Sequence, residues 1–255
     1  MANPVLERNF GGEATADGAL ASGQQQALRG PVVADGMTVG GVVGKTAFLL
    51  ALVVVAGGWG WSQVEASGAI PGWYLWVMFG TIGVAIFAAV RPQFAMVLGP
   101  VFAILEGLLV GVISKIYDAT FDGIILQALL ATAATFVGML LLYATGIIKA
   151  SPRFRKVVIG ATLGIGLFYL LSILLSVFGV SMNFVWDGSP LGILISLAVI
   201  AVAALNLVLD FDFIDRGVEA GLPRAMEWMA AFGLMVTIVW LYLEFLRLFS
   251  RLNQN

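Results

Sequence analysis

The chain of 255 residues contains no cysteine and no histidine, and only 11% of it is charged. The first absence rules out disulfides and thiolate nucleophiles. The second rules out imidazole metal sites and histidine relays. Any bound metal would have to sit on oxygen, which means a hard cation such as calcium or magnesium. A soluble domain carries about 25% charged residues, and apolar residues here reach 60%. Uncharged apolar runs follow one another for most of the chain, each near the ~20 residues a helix needs to cross a bilayer. The chain therefore reads as an integral membrane protein.

Residues 1–43 are different. "GGEATADGALASGQQQALRGP" is small, polar and without apolar periodicity, so it is expected to be a disordered cytoplasmic tail. It lacks the basic start and apolar core of a signal peptide. Residues 44–255 are expected to form a seven-helix transmembrane domain. The spans fall at about 44–64, 72–90, 94–116, 123–148, 157–179, 190–210, and from 226–232 to about 250. Lipid offers the backbone no partners, so the spans are helical. Their apolar runs are continuous rather than alternating, which argues against a β-barrel. Trp59, Trp61, Trp73, Trp76 and Trp186 lie near span ends, as an interfacial belt requires. Gly107-x-x-x-Gly111 and Gly160-x-x-x-Gly164 would let helices of one compact bundle approach closely.

Seven spans put the termini on opposite sides. The side of the tail collects ten Lys and Arg, with "KASPRFRK" the densest cluster, and the other side has Lys115, Arg247 and Arg251. The positive-inside rule then places the N-terminus in the cytoplasm and the C-terminus outside a cell inner (plasma) membrane.

Carboxylates inside a membrane cost about 2.5–3.5 kcal/mol each on insertion scales and face the bundle interior or a wet cavity. Asp210 ends a run of 22 uncharged residues, with Asp212 and Asp215 just beyond. The plain alternative for the last two is a helix end touching water. Glu244 follows sixteen uncharged residues and has Arg247 at i+3, so it is either functional or one half of a helix-end salt bridge. Glu106 lies mid-span in "GPVFAILEGLLVG" with no base within a turn. It is a candidate cavity acid, either neutral or paired across helices. Arg91 ends the second span on the same side as Asp210; it is an ordinary anchor or the basic partner of Asp210. A retinal protein is excluded because residues 226–252 contain no lysine, and a rhomboid-type protease because there is no histidine.

"LVLDFDFI" followed by "LYLEFLRLF" resembles the transmembrane Bax inhibitor motif family. "AILEGLLVG" and the spacing of Gln127, Thr132, Phe136 and Tyr143 are similar to its bacterial branch. The resemblance covers about residues 40–255. It implies an all-α, seven-helix bundle with the last helix central, working as a pH-sensitive calcium leak channel and not as an enzyme. It also implies a gating dyad of two carboxylates on helices six and seven. Carried over, these are Asp210 and Glu244, with Arg91 as the basic partner and calcium as the ion that the two acids would meet. Glu stands at 244 where the family usually has Asp, and "RGVEAGLPRAMEW" lengthens the connection between the acids, as a short surface helix. Hydropathy sets Glu244 near one end of helix seven and Asp210 near the opposite side of the membrane. A dyad therefore requires helix seven to enter late and Arg247 and Arg251 to snorkel outward.

No cofactor is expected. The partners are the bilayer and calcium, with no nucleic acid, for a monomer. The competing reading is a non-transporting regulator that binds a membrane protease or other membrane proteins of quality control or stress response. A small-molecule transporter ranks last, because the chain shows no internal symmetry.

Overall fold

The computed structural model describes residues 36–65, 68–178 and 188–254. The tail expected over 1–43 lies outside them up to residue 35, as does Trp186. The described residues form seven helices: α1 (Val39–Ser62), α2 (Tyr74–Val90), α3 (Ala95–Asp118), α4 (Ile124–Ala144), α5 (Pro152–Val177), α6 (Pro190–Glu219) and α7 (Met226–Leu252). A single 3-10 turn, Pro92–Phe94, joins α2 to α3. Six of the seven are long and apolar enough to cross a membrane. The exception, α2, has 17 residues, the short end of the spanning range. The chain is a multi-pass helical membrane protein.

Local chemistry sets the helix limits. Thr38 caps α1 by accepting from the Gly41 N–H, so the helix begins five residues before the expected 44. Ser189 caps α6 in the same way with Pro190 behind it, where a missing N–H costs nothing. At its other end α6 does not stop at 210. It runs on to Glu219 and carries Asp210, Asp212 and Asp215 inside the helix. The expected short surface helix is absent. Gly221, at φ 62°, and Pro223 turn the chain, and α7 starts at once at Met226.

The bundle is built round α7, which packs against α1, α3, α4 and α6. In its membrane window 67% of residues are buried, against 6% in α5. The closest backbone approach joins α1 to α3. A Cβ added to Gly107 would lie 2.5 Å from the Val53 carbonyl oxygen, and one on Gly111 would overlap the Gly57 carbonyl. Gly107 and Gly111 therefore act as their spacing suggests, whereas Gly160 and Gly164 meet no atom within 4 Å and face away from the bundle.

Gly107→Ala and Gly111→Ala should each destabilise the folded protein by about 1–3 kcal/mol, the usual cost of overpacking. Gly160→Ala should be neutral or stabilising by under about 1 kcal/mol. Thermal melts of the detergent-purified variants check both, and equal effects at all three positions would refute the assignment.

Candidate functional site

Two contacts fix how α6 and α7 run past each other. Arg251 donates to the Gly192 carbonyl and the Ser196 hydroxyl near the start of α6. Further along, the Thr237 hydroxyl donates to Asp210 Oδ2 at 2.7 Å. The helices are antiparallel, and this register sets Glu244 level with about Ala201. That is some nine residues from Asp210, or roughly 13 Å along the axis. The acids expected to form a dyad therefore sit at different depths and share no hydrogen bond. The reason is the continuous α7, which begins at Met226 and leaves no interfacial segment to lower Glu244.

Each acid has its own surroundings. Among the described residues the Asp210 side chain bonds only to Thr237, whose hydroxyl also lies 3.1 Å from the Gly233 carbonyl of its own helix. Glu244 is 2% exposed and accepts from Arg247 Nη1 at 2.6 Å. Arg247 also donates to the Tyr169 hydroxyl at 2.6 Å, with its guanidinium 4.9 Å from that ring. Tyr169 stands on α5, so the pair ties α7 to α5. Arg251 is 1% exposed, held by Gly192 and Ser196, and does not snorkel. Arg91 is exposed as the residue that ends α2 and makes no ion pair among the described residues, so it does not partner Asp210. Glu106 is half-buried on α3, within electrostatic range of Tyr74 on α2, and joins neither of the other acids.

The acids beyond 210 are not simply wetted helix ends. Asp212 is buried and pairs with Arg155 of α5 and with Arg216 at 3.0 Å. Asp215 is exposed but accepts from the Tyr143 hydroxyl of α4 at 2.8 Å. Phe136 and Tyr143, about two turns apart on one face of α4, both pack on Phe211 with centroids 5.7 Å away. The α4 spacing noted in the sequence is thus the α4–α6 contact.

Sequence reasoning missed Glu227, which is fully buried in the first turn of α7. Lys45 of α1 pairs with it. Thr38 donates to it twice, from N–H and hydroxyl, each at 2.9 Å. Gly41 leaves the room, because a Cβ there would overlap the carboxylate. The helix cap of α1 and the start of α7 are one assembly. The available signal was Lys45, a base inside the first span, at the same end of the bundle as an acid opening the last. Among the described residues no three acids converge to hold a metal ion. Asp210 and Glu244, roughly 13 Å apart along the axis, do not converge on one point in this arrangement.

The pattern is a central helix whose acids are met one by one from the surrounding helices. The model of proteins described as Bax inhibitor 1 like matches residues 3–254. The chain belongs to the Bax inhibitor 1 like family. No curated protein and no solved structure matches it. The matched range includes Lys45, Glu227 and the residues of the α6–α7 contacts.

Lys45→Met should destabilise this family member by about 3 kcal/mol, because it leaves the buried carboxylate only Thr38 and, at 3.8 Å, the exposed Arg224. Adding Glu227→Leu should restore most of that loss. Melting temperatures of the single and double variants decide it; no recovery in the double variant would refute a simple ion pair.

Proposed function

We propose that this protein is a pH-sensitive calcium leak channel of the plasma membrane, with its N-terminus in the cytoplasm. One observation carries the reading. The Thr237 hydroxyl has a single proton and two acceptors, Asp210 Oδ2 and the Gly233 carbonyl. While Thr237 donates to Asp210 at 2.7 Å it has no proton left for the Gly233 carbonyl at 3.1 Å; a proton on Asp210 reverses the first bond, so that Asp210 donates to Thr237 and Thr237 to Gly233. An ionised Asp210 would lose one contact and stand as a charge without a cation. The other ionisable groups nearby are engaged: Asp212 with Arg155 and Arg216, Asp215 with Tyr143, Glu227 with Lys45, Glu244 with Arg247.

The described arrangement is then the closed, protonated one. Its proton is bound only while α6 and α7 stay in register, so raising the pH shifts the bundle away from it. Glu227 of α7, Asp210 of α6 beside Thr237, and Glu244 of α7 follow one another along the α7 axis at steps of roughly 10–15 Å. Once released from their partners they offer a crossing calcium ion hard oxygen ligands in series rather than a cage. The gate is a file of separately locked acids, with Asp210 the proton-sensitive member and Glu244 the member locked by Arg247. No cofactor and no enzymatic step enters this reading.

The test is calcium entry into dye-loaded proteoliposomes. Wild-type flux should rise as pH goes from about 6 to 8. Asp210→Asn keeps a donor toward Thr237 and should give a low, pH-independent flux. Glu244→Gln removes the charge that Arg247 faces and should raise the basal leak. A flux that falls with pH, or a pH response that survives in Asp210→Asn, would overturn the mechanism. Flux no greater than in empty liposomes would overturn the channel itself and leave a membrane regulator acting through a protein partner.

A further inference from the structure

A recess of about 260 Å³ opens between the first turns of α5 and the last turns of α6. Arg155 of α5 and Arg216 of α6 line its polar end, where both bind one carboxylate, Asp212. Two cations on one anion leave a positive charge uncompensated. The side chain of Asp212 is 11% exposed, whereas those of Arg155 and Arg216 are 35% and 56% exposed. The guanidinium groups, and not the acid, therefore face whatever enters. Each has five N–H donors and gives Asp212 one nitrogen, Nη2 of Arg155 and Nε of Arg216. Among the described residues neither side chain makes a further hydrogen bond or ion pair. The nearby acids do not change this balance: Asp215 accepts from Tyr143 on α4, and Glu219 pairs with neither arginine. Two forks of donors side by side, carrying net positive charge, match the two unesterified oxygens of a phosphodiester.

The rest of the recess is apolar and lies deeper. Ile159 stands one turn inward of Arg155, and Phe213 and Leu209 stand one and two turns inward of Arg216. The thirty residues of α6 measure about 45 Å, the thickness of a bilayer with its headgroups. Arg216 therefore falls at headgroup depth, and Leu209 roughly 10 Å further in, among the acyl chains. Ile159 and Phe213 are exposed there. The first turn of α5 holds no acid, and the exposed Arg153 and Lys156 add to the positive charge of this end. A soluble anion would meet the arginines and leave the apolar wall unused. A zwitterionic lipid would bring a third cation to the two already there.

We infer that the recess between α5 and α6 holds an anionic phospholipid, its phosphodiester accepting from Arg155 and Arg216 and its acyl chains lying on Ile159, Leu209 and Phe213. The inference does not depend on ion flux.

The experiment titrates the full chain, purified in detergent, with phosphatidylglycerol and with phosphatidylcholine of the same acyl chains. Native mass spectrometry counts the retained lipid, and melting temperatures are taken alongside. One phosphatidylglycerol should be held about tenfold more tightly than phosphatidylcholine. Arg155→Gln and Arg216→Gln should each weaken phosphatidylglycerol about fivefold, the worth of one arginine near a membrane surface, and leave phosphatidylcholine unchanged. Asp212 keeps one arginine in each variant, so the fold is retained. Arg216→Lys keeps the charge without the fork and should lose less than Arg216→Gln. Arg91→Gln removes an exposed arginine outside the recess and should change neither lipid. Equal retention of the two lipids, or an affinity for phosphatidylglycerol unmoved by either glutamine variant, would overturn the inference. Inorganic phosphate that raises the melting temperature as much as the lipid does would assign the recess to a soluble anion and overturn it as well.

Discussion

Lipid solvates neither a carboxylate nor a guanidinium, and α7 carries both along its length. That constraint organises the molecule. Glu227 is answered by Lys45 and Thr38 from α1, Asp210 of α6 by Thr237 of α7, Glu244 by Arg247 with Tyr169 of α5, and Arg251 by Gly192 and Ser196 of α6. Each pairing is also a helix–helix contact. A helix that must find partners for so many polar groups ends in the middle of the bundle, and α7 is the most buried of the spans.

Apolar packing then follows from where those ties leave the helices. Bound to α7 at its start, α1 lies against α3 along Gly57, Gly60, Gly107 and Gly111, where small residues let the backbones meet. The same placement holds α1 away from α4 and opens a groove between them. Close contact on one side of α1 and a gap on the other are two consequences of a single position.

Much of this was legible in the chain. The absence of histidine and cysteine, the scarcity of charge and the spacing of uncharged runs yield seven helices with limits near those observed. The α3 glycines have the close contact their spacing suggests. The legible part of the site was which acids lie inside the membrane. Asp210, Glu106 and Glu244 stand out because their neighbours are apolar. Glu227 does not, because Arg224 and the turn at Gly221 and Pro223 make its surroundings look like a surface loop.

Partnership was not legible. Whether Asp210 meets Glu244, Arg91 or Thr237 depends on the register of α6 against α7. That register is set by residues at the far end of both helices, above all Arg251 on Gly192 and Ser196. Composition and periodicity by themselves determined a polytopic helical membrane protein and the acids buried in it, because burial is a property of a residue and its sequence neighbours. The tertiary structure alone decided which partner each acid meets, because depth and facing depend on groups tens or hundreds of residues apart.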